Sequence, residues 1–418
     1  MKIKDTSYSK SNTLSSSSNS KNKKLPDFPT RVNRLRSRLF KDPLLLTLLV
    51  FSALYFLFYY LTDPVRPANI FNGWFGFRDT AQYPLGWFGF TDQSYYLKLA
   101  HTLASFNFHQ LHSTFLYGLG YPLVAVPFIW LGFNKDPFLF FNLCAFIFAV
   151  YVTYRVARNW ISPAAGLLAG FGLVFATPLI HYTDQPWNST VCLVVACYIL
   201  LLSTFKAITK WHVFLLGLLV GWSFSARYID AAFLGLLAIA SVYRGSVTHL
   251  FKQLVFLSLG MMVFIIPVLY LQSRIFGSPF RTPYSLHIMS NQVGSDQQLS
   301  SYSLKAMPRK AVAILAGPRL LGLSDSSRGL LVDMFWALAA IPGTYILCRK
   351  ARHKLFVISL ASFIILVSVF YLSFRGTAVD SVRFGLLHYF KMLWPGTVIL
   401  AVAFFEHQFS KGYNTRSK

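Results

Sequence analysis

The sequence predicts an all-α bundle of membrane-spanning helices, and three observations predict it. Apolar residues make up 55% of the 418 and charged residues only 13%, about half of the roughly 25% charge of a soluble domain. Mean hydropathy is +0.49. Apolar runs of about 17 to 23 residues recur along the whole chain, and each is enough to cross a hydrocarbon core of about 30 Å as a helix. In lipid a helix satisfies its own backbone hydrogen bonds, so such runs read as helices.

The elements follow in order. Residues 1–41 are rich in Ser, Lys, Asn and Arg, carry 11 basic residues, and read as a disordered cytoplasmic tail. The tail is too long and polar for a signal n-region, so the run after it reads as a retained anchor. Its Ser- and Arg-rich, acid-poor composition is also that of transit peptides. A single transmembrane domain then covers 42–408, with a short cytoplasmic tail at 409–418. Ten spans are predicted: 43–61, 137–157, 163–182, 188–206, 211–226, 229–243, 250–272, 329–348, 354–373 and 391–408. An eleventh stretch, 119–132, is short and holds Pro122 and Pro127, so it reads as re-entrant or juxtamembrane. With ten spans both tails are cytoplasmic. Arg155 and Arg158, Lys206 and Lys210, Arg244 and Lys252, and Arg349, Lys350, Arg352 and Lys354 then all face inward. Eleven spans would turn these clusters outward, against the positive-inside rule.

Three long segments remain on the far side: 62–118, 273–328 and 374–390. Loops of this length in a compact protein are usually functional. Gly166/Gly170 and Gly217/Gly221 are spaced for helix packing. No internal repeat is visible, which argues against a carrier built from inverted halves. The net charge of +25 lies mostly in loops and tails and no nucleic-acid module is present, so anionic lipid is the expected partner, not nucleic acid. Cys144, Cys192, Cys197 and Cys348 fall in or at the end of apolar runs with no CxxC, and read as small core residues.

The chain has only 14 acidic residues, so those at the outer face stand out. Asp92 in FTDQSYYLKLAHTL, Asp79 in GFRDTAQY and Asp184 in HYTDQPWN converge there on this topology, and ionisable groups at a membrane edge are site candidates. Asp92 also reads as an N-cap for an amphipathic helix bearing Tyr95, Leu99 and Leu103. One residue can serve both purposes. On the same side lie Arg274, Arg281, Lys305, Arg309, Lys310, Arg319 and Arg328, with Arg227, Arg383 and His388. That excess opposes the positive-inside tendency, and reads either as a solvated basic loop or as a phosphate-binding set.

The stretch TDQSYYLKLAHTL, 91–103, resembles the first external loop of the GT-C glycosyltransferases, which include protein O-mannosyltransferases and the aminoarabinose transferase. GLGYPLVAVPFIWLG (118–132), TPLIHYTDQPWNST (177–190), LLGLLVGWSFSARYIDAAFL (215–234), RGLLVDMFWALAAIPG (328–343) and VRFGLLHYFKMLWPG (382–396) resemble further motifs of that family in the same order. The resemblance covers 43–408. It implies a GT-C fold, a polyprenyl-phosphate sugar donor, and a lipid, glycan or protein acceptor outside the cytoplasm. It implies Asp92 as the base that takes the acceptor proton, with Asp184 and Asp79 orienting the acceptor or a divalent metal. Arg227, Arg281, Arg328, Arg383 and His388 would then face the donor phosphate. The implied location is the plasma membrane of a prokaryote, or the endoplasmic reticulum as its eukaryotic equivalent. A transporter or flippase of lipid-linked sugars is the alternative, with the same charges lining a path near the midplane.

The sequence departs from the pattern twice. The family's Asp-Glu pair is Asp92-Gln93 here, which removes the second carboxylate of a metal bridge. The late Phe-Gly-x-Arg-Tyr motif is Phe384-Gly385 followed by Leu386, Leu387, His388 and Tyr389, so Arg383 or His388 takes the place of the missing Arg. His388 would need a raised pKa to carry charge. His109 and His112, with His181 and Asp184, have spacings suited to zinc. Trp74, Phe75, Phe77, Trp87, Phe88 and Phe90 read as interfacial anchors or sugar-stacking rings. Asn188-Ser189-Thr190 is a glycosylation sequon that abuts a span.

Overall fold

The computed structural model describes residues 42–62, 91–111, 117–134, 136–243, 245–279, 281, 303–317, 329, 334–350, 354–373 and 387–416. The tail 1–41 and much of the three long external segments lie outside these residues, and with them Asp79, His112, Arg328, Arg383 and the first-loop aromatics. Among the described residues there is no β-strand. Fourteen α-helices are described: α1 Pro43–Thr62, α2 Thr91–Ala104, α3 Pro122–Trp130, α4 Leu139–Trp160, α5 Pro163–Val174, α6 Thr177–Thr183 and α7 Ser189–Ser203. They continue with α8 Lys210–Ala226, α9 Tyr228–Val242, α10 Val247–Phe276, α11 Met307–Ala316, α12 Ala340–Lys350, α13 Lys354–Ser373 and α14 Trp394–Arg416. A 3-10 segment, Leu387–Leu393, leads into α14.

Five helical segments are long and apolar enough to cross a membrane: α1, α4, α10, α13 and the run Leu387–Ser410. The pair α5 and α6, bent by 56°, makes a sixth when counted as one span. The other predicted spans are shorter helices. Two polar interruptions explain most of the shortfall. Arg227 is a single extended residue (φ −155°, ψ 102°) between α8 and α9. The stretch 183–190, TDQPWNST, separates α6 from α7 and is buried throughout. Irregular backbone at membrane depth is tolerated where protein rather than lipid surrounds it. The nine residues of α3 reach only about 14 Å, well short of a span, in keeping with the reading of 119–132 as a segment that does not cross.

Local sequence signals set the helix ends. Ser162 caps α5 by accepting from the Ala165 amide, and its hydroxyl donates to Glu406 Oε1 at 2.8 Å, which ties α5 to α14. Thr209 and His212 form a capping box on α8. Gly277, at φ +73°, closes α10 in the left-handed region where glycine is favoured. The glycine pairs do pack helices. A Cβ on Gly217 would lie 2.1 Å from the Leu257 carbonyl oxygen, and one on Gly260 would lie 2.2 Å from that of Phe214, so α8 and α10 touch backbone to backbone. The core lies where α4, α5, α7, α8 and α14 meet, with Phe146, Val150, Leu173, Leu193, Leu216 and Val398 all inaccessible. Cys192 and Cys197 belong to it, whereas Cys144 is exposed on the bundle surface.

Candidate active site

Asp92 sits in the first turn of α2 rather than at its cap. A carboxylate there is favoured by the helix dipole and the unpaired first-turn amides. The same stripe of α2, read one and two turns on from Asp92, is apolar. Tyr96, Leu97 and Ala100 pack against Tyr121, Phe138, Val191 and Ala226, which seats the helix on the ends of α7 and α8. The Tyr117 hydroxyl donates to Asp92 Oδ1 at 2.5 Å. Burial pushes the Asp92 carboxyl above the ordinary carboxylate range, against the opposite pull of the Tyr117 hydrogen bond and the Arg227 charge.

Arg227 is placed by the break between α8 and α9. Its Nε lies 2.5 Å from Asp230 Oδ2. One terminal nitrogen donates to Asn188 Oδ1 and the other to the Tyr371 hydroxyl, each at 3.0 Å. The Tyr389 ring lies 4.1 Å from the guanidinium carbon and stacks on Tyr371 at 4.4 Å. The Tyr371 hydroxyl donates in turn to Asp230 Oδ1. An ion pair with its carboxylate fully buried holds only with such added partners on both groups.

The buried stretch after α6 supplies a second polar layer. Asp184 is fully buried and acts electrostatically on Lys391, which is also fully buried and donates from Nζ to Thr190 Oγ1 at 2.8 Å. His388, buried as well, stacks on Trp187 at 4.0 Å and contacts the Tyr389 ring at 3.8 Å. Asn142 donates from Nδ2 to the Gln185 carbonyl at 3.2 Å, pinning the stretch to α4.

The structure therefore brings together Asp92, Asp184, Arg227 and His388 of the sequence candidates. Arg281 is exposed and donates to the Phe276 carbonyl at the end of α10, at 3.4 Å. Sequence reasoning missed Asp230, Lys391, Tyr117, Tyr371 and Tyr389. The signal for the first two was present: a carboxylate in YIDAAFL and an ammonium in YFKMLW are costly inside apolar runs, and such residues mark function by default. The tyrosines gave no signal in a chain with 22 of them. Asn188, the sequon residue, is buried and hydrogen-bonded to Arg227 and to the Ala226 carbonyl, so it is not a glycosylation acceptor in this fold.

Among the described residues no three His, Cys, Asp or Glu side chains gather as metal ligands. Gln93 is fully buried, and neither atom of its amide has a hydrogen-bond partner among the described residues. Each unmet group of this kind costs about 1–3 kcal/mol. A neutral amide beside Asp92 does not make a bridging carboxylate pair, so the described residues do not fit a metal there and no step is assigned to one.

Fold and site together define an integral membrane protein of polytopic helical architecture, with a buried charged centre where helices begin, break and end. The fold is of the GT-C type, as the motif order implies. Among solved structures, the chain is similar to ArnT from Cupriavidus metallidurans bound to undecaprenyl phosphate. The TM-score is 0.54 at 13% identity, covering 86% of this chain and 59% of that one. It is also similar to the archaeal oligosaccharyltransferase AglB from Archaeoglobus fulgidus, in complex with an inhibitory peptide and a dolichol-phosphate. There the TM-score is 0.45 at 13% identity, covering 90% and 52%. The chain thus spans about three-fifths of the ArnT chain and about half of the AglB chain. No family model and no curated protein matches it.

Proposed function

We propose that the protein is a membrane glycosyltransferase that moves a sugar from a polyprenyl-phosphate carrier to a lipid, glycan or protein hydroxyl on the extracytoplasmic face. One observation carries the reading. A single carboxylate, Asp92, stands at the start of a helix in a GT-C fold, with its proton affinity raised by burial and a fixed cation, Arg227, within electrostatic reach. The acceptor oxygen attacks the anomeric carbon, its proton passes to Asp92, and the bond to the lipid phosphate breaks with both electrons leaving on the phosphate oxygen. A carboxylate base within hydrogen-bond reach is worth roughly 10²–10⁴-fold in rate. Attack from the face opposite the phosphate inverts the anomeric centre.

The cations divide the remaining work. Arg227 and Lys391 each face a carboxylate in the core, Asp230 and Asp184 respectively. They hold the centre together and set its potential. The developing phosphate charge falls to Arg281, Arg328 and Arg383 of the external segments, together with His388, which stacks on Trp187. Asp184 and Asp79 orient the acceptor. The ArnT structure, solved bound to undecaprenyl phosphate, supports a polyprenyl-phosphate carrier. The expected setting is the inner membrane of a prokaryote.

Reconstituted protein offered a panel of labelled polyprenyl-phosphate sugars, with a membrane extract as acceptor, tests this. Transfer is expected with wild type and should fall about 10²-fold or more with Asp92→Asn. A chelator arm reports any metal requirement. Labelled lipid that crosses the bilayer without transfer would establish the flippase instead.

A further inference from the structure

We infer that Tyr117 is a positioning residue for the proposed base: it holds the Asp92 carboxylate in one orientation and joins it mechanically to the helix break that carries Arg227. The inference rests on the assignment of Asp92 as the base. Three observations carry it.

The first is the contact itself, a phenol donating to Asp92 Oδ1 at 2.5 Å. A hydrogen bond to an ionised acceptor is short and about twice as strong as a neutral one. With Oδ1 engaged by the phenol and the carboxyl also accepting from its own backbone amide, the group is held in one orientation.

The second is how Tyr117 is held. Gly118 and Gly120 follow it, and both press on the last turn of α8. A Cβ on Gly118 would lie 2.2 Å from the Ser225 carbonyl oxygen, and one on Gly120 would lie 2.3 Å from Ser225 Oγ. The Gly120 amide donates to the Ser225 carbonyl at 3.0 Å, and Trp222 Nε1 donates to the Gly120 carbonyl at 2.7 Å. Only glycine allows this approach. Ser225 is two residues before Arg227, so the segment that carries Tyr117 moves with the Arg227 break.

The third is the surrounding packing. The Tyr117 ring sits against Tyr96 at 5.2 Å and Tyr95 at 6.0 Å, on the helix that carries Asp92. The phenol is thus gripped from both sides, by α2 and by α8. The groups that act on Asp92 from the elements around it are Tyr117 from this segment, Arg227 from the α8–α9 break and Tyr389 from the 3-10 segment. Of these, Tyr117 is the one hydrogen-bonded to the carboxylate.

Tyr117→Phe keeps the ring and removes the donor. Without the phenol the ionised carboxylate loses stabilisation, so the acid limb of kcat/KM is expected to move to higher pH, on the order of one unit. The rate near the wild-type limb should fall about tenfold, carried by kcat rather than KM, and recover at higher pH. A second readout does not need turnover. Melting temperatures of purified wild type and Tyr117→Phe, compared from pH 4 to pH 8, should diverge as pH rises, because the phenol stabilises only the ionised form. In an Asp92→Asn background the same substitution should give a pH-independent difference.

An unshifted limb, or a melting difference that is flat with pH in the presence of Asp92, overturns the inference and leaves Tyr117 a packing residue. If no donor in the panel is turned over, the glycosyltransferase reading fails. The melting comparison then still decides whether Tyr117 holds Asp92.

Discussion

Each nitrogen of the Arg227 guanidinium has a partner within the protein, and the energetics of the centre turn on that. Removing one partner of a buried pair strands the other charge, at a cost of about 3–5 kcal/mol. Asp230→Asn is therefore expected to lower the melting temperature of the purified protein sharply. Tyr371→Phe, which removes a hydroxyl that accepts from Arg227 and donates to Asp230, should cost less, on the order of 1–3 kcal/mol. Asp92 differs because it is partly exposed and its carboxyl is raised by burial. In the proposed role of base it must be ionised, so activity should be lost as pH falls, with a limb above the ~3.9 of a free aspartate. A pH profile of kcat/KM checks the sign. Scarcity made Asp92 and Asp184 legible from sequence alone. Arg227 was legible as a cation at a span end, but not as half of a buried pair. That role depends on Asp230, three residues on, which an apolar run concealed.

At the scale of elements, the helices were legible because lipid leaves a chain little choice, while their lengths were not. A hydropathy run does not show where a helix stops inside a protein-lined interior. The 15 residues of α7 and of α9 end where a polar stretch or a single extended arginine takes over. Glycine spacing did carry contact information, and two substitutions test it. Gly118→Ala should displace the segment bearing Tyr117, since its Cβ would lie 2.2 Å from a backbone oxygen. The expected result is loss of transfer with the bundle intact, read as activity against melting temperature. Gly260→Leu should instead separate α8 from α10 and destabilise the whole protein, because the clash is with the Phe214 carbonyl 2.2 Å away. Overpacking of this kind typically costs about 1–3 kcal/mol and here meets backbone, which cannot rotate aside.

At the scale of the whole molecule, the order of motifs along the chain predicted the GT-C architecture better than any one motif did. The roles of Asp79, Arg328 and Arg383 lie on segments outside the described residues, where apolar periodicity has no reach and only charge pattern speaks. Helix α10 has 30 residues, about 45 Å at about 1.5 Å per residue, against a hydrocarbon core of about 30 Å. It presents Val255, Leu259, Val263, Ile266 and Tyr270 outward. Its far end meets both halves of the candidate site. Leu271, Ile275 and Phe276 pack against Leu99, Leu103, Leu111 and Leu119 beside the helix of Asp92, and Gln272 donates to the hydroxyl of Tyr228, the residue after Arg227. A rod longer than the film it crosses is accommodated by tilting, by a kink such as the internal Pro267 permits, or by a thickened bilayer, and the balance shifts with the film. On the proposed function, this rod would couple the Asp92–Arg227 site to membrane thickness. Turnover in vesicles of graded acyl length should pass through a maximum, and fall on either side as the rod tilts away from the angle that seats Asp92 beside Arg227.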